Sequence, residues 1–79
     1  MTSDIGALVE RCRQGDGLAW ERLVRRCQGR VYALAYHYMG GVEEARDLTQ
    51  EVFVRVYQQL ETYHGEGFMA WLLRVTRNL

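Results

Sequence analysis

Three glycine-centred breaks and a complete lack of proline constrain the fold of this chain more than any other feature. Gly15-Asp16-Gly17, Gly40-Gly41 and Gly65-Glu66-Gly67 cut the 79 residues into four segments, and glycine clusters of this kind punctuate helices. Inside each segment apolar residues recur every three or four positions, the mark of an amphipathic helix. The first, about Asp4 to Gln14, carries Ile5, Leu8, Val9 and Cys12, with Ser3 or Asp4 as its expected cap. The second, Leu18 to Met39, has apolar residues at 20, 23, 24, 27, 31, 34, 35 and 38, and Asp16 can cap it. The third, Val42 to Thr62, follows 45, 48, 52, 53, 56 and 60. Its opening charges, Glu43 and Glu44, suit the positive end of a helix. The fourth, about Gly67 to Asn78, repeats the pattern through Phe68, Trp71, Leu72 and Val75.

No segment alternates with a period of two over a useful length, so strands are not expected. The fold class is all-α. Short connections make successive long helices antiparallel neighbours. The second and third segments should form a central antiparallel hairpin, with the first and fourth packed on it, in one compact four-helix domain over 1–79. A chain of this length buries roughly 60–65% of its unfolded surface, and 48% hydrophobic residues are enough for such a core. No apolar run approaches the roughly 18 residues that span a membrane, and no signal-peptide pattern opens the chain. The expectation is a cytoplasmic protein without membrane insertion. Gly29, inside the second helix, costs roughly 1 kcal/mol relative to alanine; it either permits a close helix contact or is tolerated. The chain stops at Leu79 in mid-pattern, as an excised domain would.

Formal net charge is zero, so nothing draws the whole chain to nucleic acid, and a complete DNA-binding domain is usually more basic. All ten cations are arginine, which suits planar contacts to carboxylate or phosphate but also follows from a GC-rich genome. Arg22, Arg25, Arg26 and Arg30 form a basic band on the second helix. It reads either as a solvated face partly paired with Glu10, Glu21 or Asp47, or as a contact for phosphate or an acidic partner. Cys12 and Cys27 lie on apolar stripes without CxxC spacing, as buried thiols do. His37 and His64 share no ligand pattern. With no phosphate loop, nucleophile elbow or Ser/His/Asp set, the sequence points to no enzyme, metal or cofactor. Tyr32, Tyr36, Tyr38 and Tyr57 are either core-edge residues or an exposed docking patch.

One stretch is more specific. In Asp47-Leu48-Thr49-Gln50-Glu51-Val52-Phe53, the polar residues Asp47, Gln50 and Glu51 stand three and four apart and share a helix face beside the apolar stripe. From spacing alone this is a solvated face or a surface for a basic partner. Further on, Phe68-Met69-Ala70-Trp71-Leu72-Leu73-Arg74-Val75-Thr76-Arg77-Asn78 puts aromatic, apolar and basic residues on one helix. In this order and separation the two stretches resemble region 2 of a bacterial sigma factor of the extracytoplasmic-function (ECF) group, over nearly the whole chain.

The resemblance carries expectations residue by residue. The family's D-L-x-Q-E helix, matched by Asp47, Leu48, Gln50 and Glu51 with Arg55 one turn later, implies docking on the clamp helices of the beta-prime subunit of core RNA polymerase. Tyr63-His64-Gly65-Glu66-Gly67-Phe68 resembles the family's F-R-G-E-x-x-F loop, which with the next helix pockets a base flipped from the minus-ten promoter element. Here the loop is one residue shorter and His64 replaces the common arginine. Trp71, Leu72, Arg74 and Asn78 match W-L-x-R-I-A-x-N. Trp71 reads first as core, while Arg74, Arg77 and Asn78 are candidates for promoter DNA. The implied partners are core polymerase, minus-ten DNA and, from the family alone, an anti-sigma factor. The competing reading is a helical protein-interaction module that has lost promoter recognition. Arg74 and Arg77 separate the two: promoter work needs them exposed together beside an open loop pocket, whereas an interaction module would bury or neutralise them.

Overall fold

Local chemistry at the glycine breaks decides where each helix starts and stops. The computed structural model describes residues 5–63 and 67–79. In it α1 (Ile5–Arg13) is followed by α2 (Gly17–Met39), α3 (Val42–Gln59), a 3-10 turn (Leu60–Thr62) and α4 (Phe68–Asn78). No strand occurs among the described residues, so the fold is all-α as expected. The observed ends fall within a residue of the expected ones, except that Leu60–Thr62 tighten into the 3-10 turn. The cap expected from Ser3 or Asp4 lies outside the described residues.

Asp16 starts α2. Its Oδ1 accepts the backbone N–H groups of Leu18 at 3.1 Å and Ala19 at 3.2 Å. Its Oδ2 accepts Nε and Nη2 of Arg11 at 3.1 and 2.9 Å. One carboxylate thus serves two orphan amides of α2 and a cation from the last turn of α1. At the other end, Gly40 turns left-handed (φ 79°) and donates its N–H to the Tyr36 carbonyl at 2.8 Å. A side chain there would be strained, so the helix stops. The Gly40-Gly41 link then folds α3 back along α2.

At 23 residues, α2 is about 34 Å long and matches the molecule's longest extent of 34 Å. Its largest interface is with α3; α1 packs on α2, and α4 on both α2 and α3. The buried residues of α2, Ala19, Leu23, Cys27, Val31 and Ala35, are spaced by fours. A four-residue step overshoots one helical turn by about 40°, so the buried line winds around α2. Three packing partners require that winding. It also corrects the expected stripe at one end: Tyr38 is 53% exposed, because by the last turn the buried line has moved past it. Ala45, Val52, Phe53, Val56, Leu60 and Leu72 complete the core from α3, the 3-10 turn and α4.

Cys12 and Cys27 are buried and free. Desolvation pushes both thiols up, and the Asp16 carboxylate pushes Cys12 further in the same direction. Both therefore stay protonated and act as apolar filler. A Cβ at Gly29 would meet nothing within 4 Å, so this glycine is tolerated and mediates no close helix contact. Among the described residues, no helix is long and apolar enough to cross a membrane.

Candidate functional site

The acidic-polar residues of α3 form a ridge that the core leaves outside. Leu48 is half-buried against the core, while Asp47, Gln50 and Glu51 are all exposed. Neither Asp47 nor Glu51 forms an ion pair among the described residues. The ridge separates two recesses. On one flank Gln50 borders a groove between α2 and α3 that includes Trp20, Val24, Phe53, Val54 and Tyr57. On the other flank Asp47 and Glu51 face Tyr38, Met39, Arg77 and Asn78 across a second recess. Arg55 is exposed and lies one turn past Glu51, on the flank turned toward Val75 and Asn78 of α4.

Two residues extend the ridge beyond the expected set. Val54 is 57% exposed and Tyr57 is 61% exposed, one and two turns past Gln50 on the same face. The Tyr57 ring meets Trp20 edge-on at 5.0 Å, so an aromatic floor holds it in place. The sequence carried a signal for Val54: it is apolar yet lies off the buried stripe. Tyr36 is also exposed, while Tyr32 is half-buried and stacks on it at 6.2 Å.

At the α3–α4 connection the described residues are the two ends, Tyr63 and Gly67; the candidates His64, Gly65 and Glu66 lie outside the described residues. Tyr63 is buried, and its hydroxyl accepts the Gly67 N–H at 3.2 Å. Its carbonyl accepts Nη1 of Arg13, from α1, at 3.1 Å. The Tyr63, Phe68 and Trp71 rings pack together with centroids 5.3 to 5.7 Å apart. Phe68 is buried and Trp71 half-buried, so Trp71 keeps part of its ring accessible. The connection is thereby fastened at both ends to an aromatic cluster and to α1. Gly67 adopts φ 106°, a conformation that a side chain would strain.

On α4 the motif residues divide by face. Leu72 and Thr76 are buried, and the Thr76 hydroxyl is satisfied by the Leu72 carbonyl at 2.9 Å. Arg74, Arg77 and Asn78 are exposed. Arg74 and Arg77 form no ion pair among the described residues. Arg77 shares its recess with Glu44, Asp47 and Glu51. The basic band of α2 is exposed too; on α1, Glu10 meets Arg13 at 3.5 Å and Arg11 meets Asp16 at 2.9 Å.

Fold and surface together define a small helical domain, with a polar ridge on one helix and exposed arginines on another. Comparison with known proteins places it more narrowly. Residues 23–79 match the sigma-70 region 2 family. The chain is 46% identical over 61 residues to the ECF RNA polymerase sigma factor SigE of Mycolicibacterium smegmatis, covering 77% of this chain and 24% of that protein. It is 40% identical over 74 residues to the ECF RNA polymerase sigma factor BldN of Streptomyces coelicolor, covering 91% and 28%. Against the ECF RNA polymerase sigma-E factor of Haemophilus influenzae it is 40% identical over 73 residues, covering 91% and 38%. The chain belongs to the sigma-70 region 2 family, in its ECF group. It spans roughly a quarter to two-fifths of the length of these relatives.

Proposed function

We propose that this chain is the region 2 module of an ECF RNA polymerase sigma factor, which docks on core polymerase and helps recognise and open the minus-ten element. The observation that carries the reading is the α3 ridge: Asp47, Gln50 and Glu51 exposed together, their charges uncommitted, in a chain of this family. Such a ridge suits the basic face of a partner helix pair, here the clamp helices of the beta-prime subunit. Acid–arginine contacts at its rim steer encounter and fix orientation. Val54 and Tyr57 supply the apolar centre that a docking face needs for affinity.

Promoter opening falls to α4 and the connection that leads into it, with Arg77 and Asn78 bordering the recess that Asp47 and Glu51 also line. Extruding a base costs a few kcal/mol, which stacking and hydrogen bonds in a pocket must offset. Tyr63 and Phe68 are buried in their own cluster, so they form a rigid wall for that pocket. Trp71, with part of its ring accessible, supplies the contact surface. Arg74, Arg77 and Asn78 hold phosphates or base edges alongside. Exposure of both arginines favours this reading over an interaction module that has lost promoter recognition. An anti-sigma factor would act by covering the same two surfaces.

The test is calorimetric binding to a purified beta-prime clamp-helix fragment at two salt concentrations. Glu51→Arg should weaken binding at least about tenfold, or about 1.4 kcal/mol, with its circular dichroism unchanged. Gln50→Ala should cost less. A folded parent that does not bind the fragment would remove the polymerase reading and leave the interaction module in its place.

A further inference from the structure

The polymerase and promoter surfaces leave the basic band of α2 unused. Arg22, Arg25 and Arg26 rise on one flank of α2 and border a concavity that Arg11 enters from α1, with Ala7 and Leu8 beneath. Arg22 and Arg25 stand three residues apart, about 4.5 Å along the axis, while Arg26 already has a partner within the fold. All four arginines are exposed. Arg11 is committed to Asp16 at 2.9 Å, but Arg22 and Arg25 form no ion pair among the described residues. The acids nearest in sequence leave Arg22 and Arg25 without an ion pair. Glu10 is taken by Arg13 at 3.5 Å, and Glu21 does not border the concavity. The chain's zero net charge therefore conceals a separation. Glu43, Glu44, Asp47 and Glu51 lie on α3, whereas α1 packs chiefly on α2.

The lining decides what this groove can hold. It has no aromatic side chain, so it cannot stack bases. Leu8 is only 7% exposed, so it offers no apolar anchor of the kind that carries the affinity of a peptide or partner helix. What it does offer is guanidinium forks at one-turn spacing, which suit anionic oxygens. We propose that the α1–α2 groove holds the phosphodiester backbone of nucleic acid without reading its sequence, as a second contact separate from Arg74 and Arg77 on α4. This rests on the reading of the chain as a promoter-binding module and adds a sequence-independent phosphate site to it.

The test uses fluorescence anisotropy with labelled oligothymidylate of roughly 12 nucleotides, between about 50 and 200 mM salt. Arg22→Gln/Arg25→Gln should weaken binding at least about fivefold and flatten the log–log salt slope by about 1.4, the value for two lost single-strand contacts. Arg22→Lys/Arg25→Lys should keep most of the slope, because the charges remain, and it guards against a folding defect in the glutamine pair. An oligoadenylate of equal length should bind alike. An unchanged slope in the glutamine pair would overturn the proposal. So would a parent that does not bind at the lowest salt, or one that prefers polyglutamate to the oligonucleotide, which would point to an acidic protein partner. The same glutamine pair should bind the clamp-helix fragment like the parent. Loss of clamp binding by the parent would count against the polymerase reading, whereas loss of the slope change counts against this site alone.

Discussion

The α3 ridge and the α3–α4 connection carry two halves of one proposed function, yet they are built on opposite plans. The ridge is a set of exposed side chains on one long helix whose other face is core. Asp47, Gln50 and Glu51 are exposed, and neither acid forms an ion pair among the described residues, so their replacement should leave stability nearly unchanged. At the connection, Tyr63 and Phe68 are core residues and Trp71 packs against the core, and all three are also proposed site residues. The proposed docking residues can therefore change at little structural cost, while those proposed for the promoter are tied to the fold.

Substitution should expose that difference at once. Phe68→Ala removes a ring that is 4% exposed, and should lower unfolding free energy by about 3–5 kcal/mol in urea titration. Glu51→Arg should leave the urea midpoint unchanged while weakening clamp binding. Equal loss of stability in the two variants would erase the contrast. Tyr63→Phe is the sharper probe. It keeps the ring cluster and removes only the acceptor of the Gly67 N–H, so it should cost about 1 kcal/mol. Amide exchange at Gly67 should accelerate more than exchange within α2. Uniform acceleration would mean that the hydroxyl does not hold the connection.

The same contrast explains what the sequence disclosed. The helices were legible because apolar spacing is a local property, and the ridge was legible because its members sit within one turn of each other. Asp16 was legible as a cap for the same reason. Arg13 holding the Tyr63 carbonyl was not, because the two residues are 50 apart in sequence and only the packed bundle brings them together. Tyr38 fits the apolar spacing yet is exposed, because a fixed stripe ignores how three partners wind the buried line around α2. Tyr57 remained ambiguous, since a tyrosine beside an apolar stripe fits either a core edge or a surface. Packing against Trp20 with most of the ring in solvent decides for the surface.

Gly29 tests how far the independence of the ridge extends. It borders a further α2–α3 recess, lined also by Tyr32, Arg46 and Gln50, and a Cβ there meets nothing within 4 Å. Gly29→Ala should therefore stabilise the fold by up to about 1 kcal/mol, with clamp binding unaltered. If the variant binds the clamp fragment more weakly, the docking face includes that recess as well as the ridge.

The smallest expected effect concerns the other short connection, where Asp16 does locally what Tyr63 does across the bundle. The Ala19 N–H, and after it the Arg11 guanidinium, hold the Asp16 carboxyl below its ordinary value of 3.8. A carboxylate whose pKa is lower folded than unfolded adds stability above the unfolded pKa and loses it as pH falls through the folded one. Asparagine caps a helix nearly as well as aspartate but carries no charge to lose. The melting temperature of Asp16→Asn should therefore sit slightly below that of the parent at neutral pH. The gap should close as acid protonates the parent's carboxylate, leaving both proteins with neutral caps. A gap that persists unchanged in acid would show that the charge, and with it the Arg11 contact, adds nothing to this turn. The two connections would then differ in distance alone, with a neutral hydrogen-bond acceptor closing each.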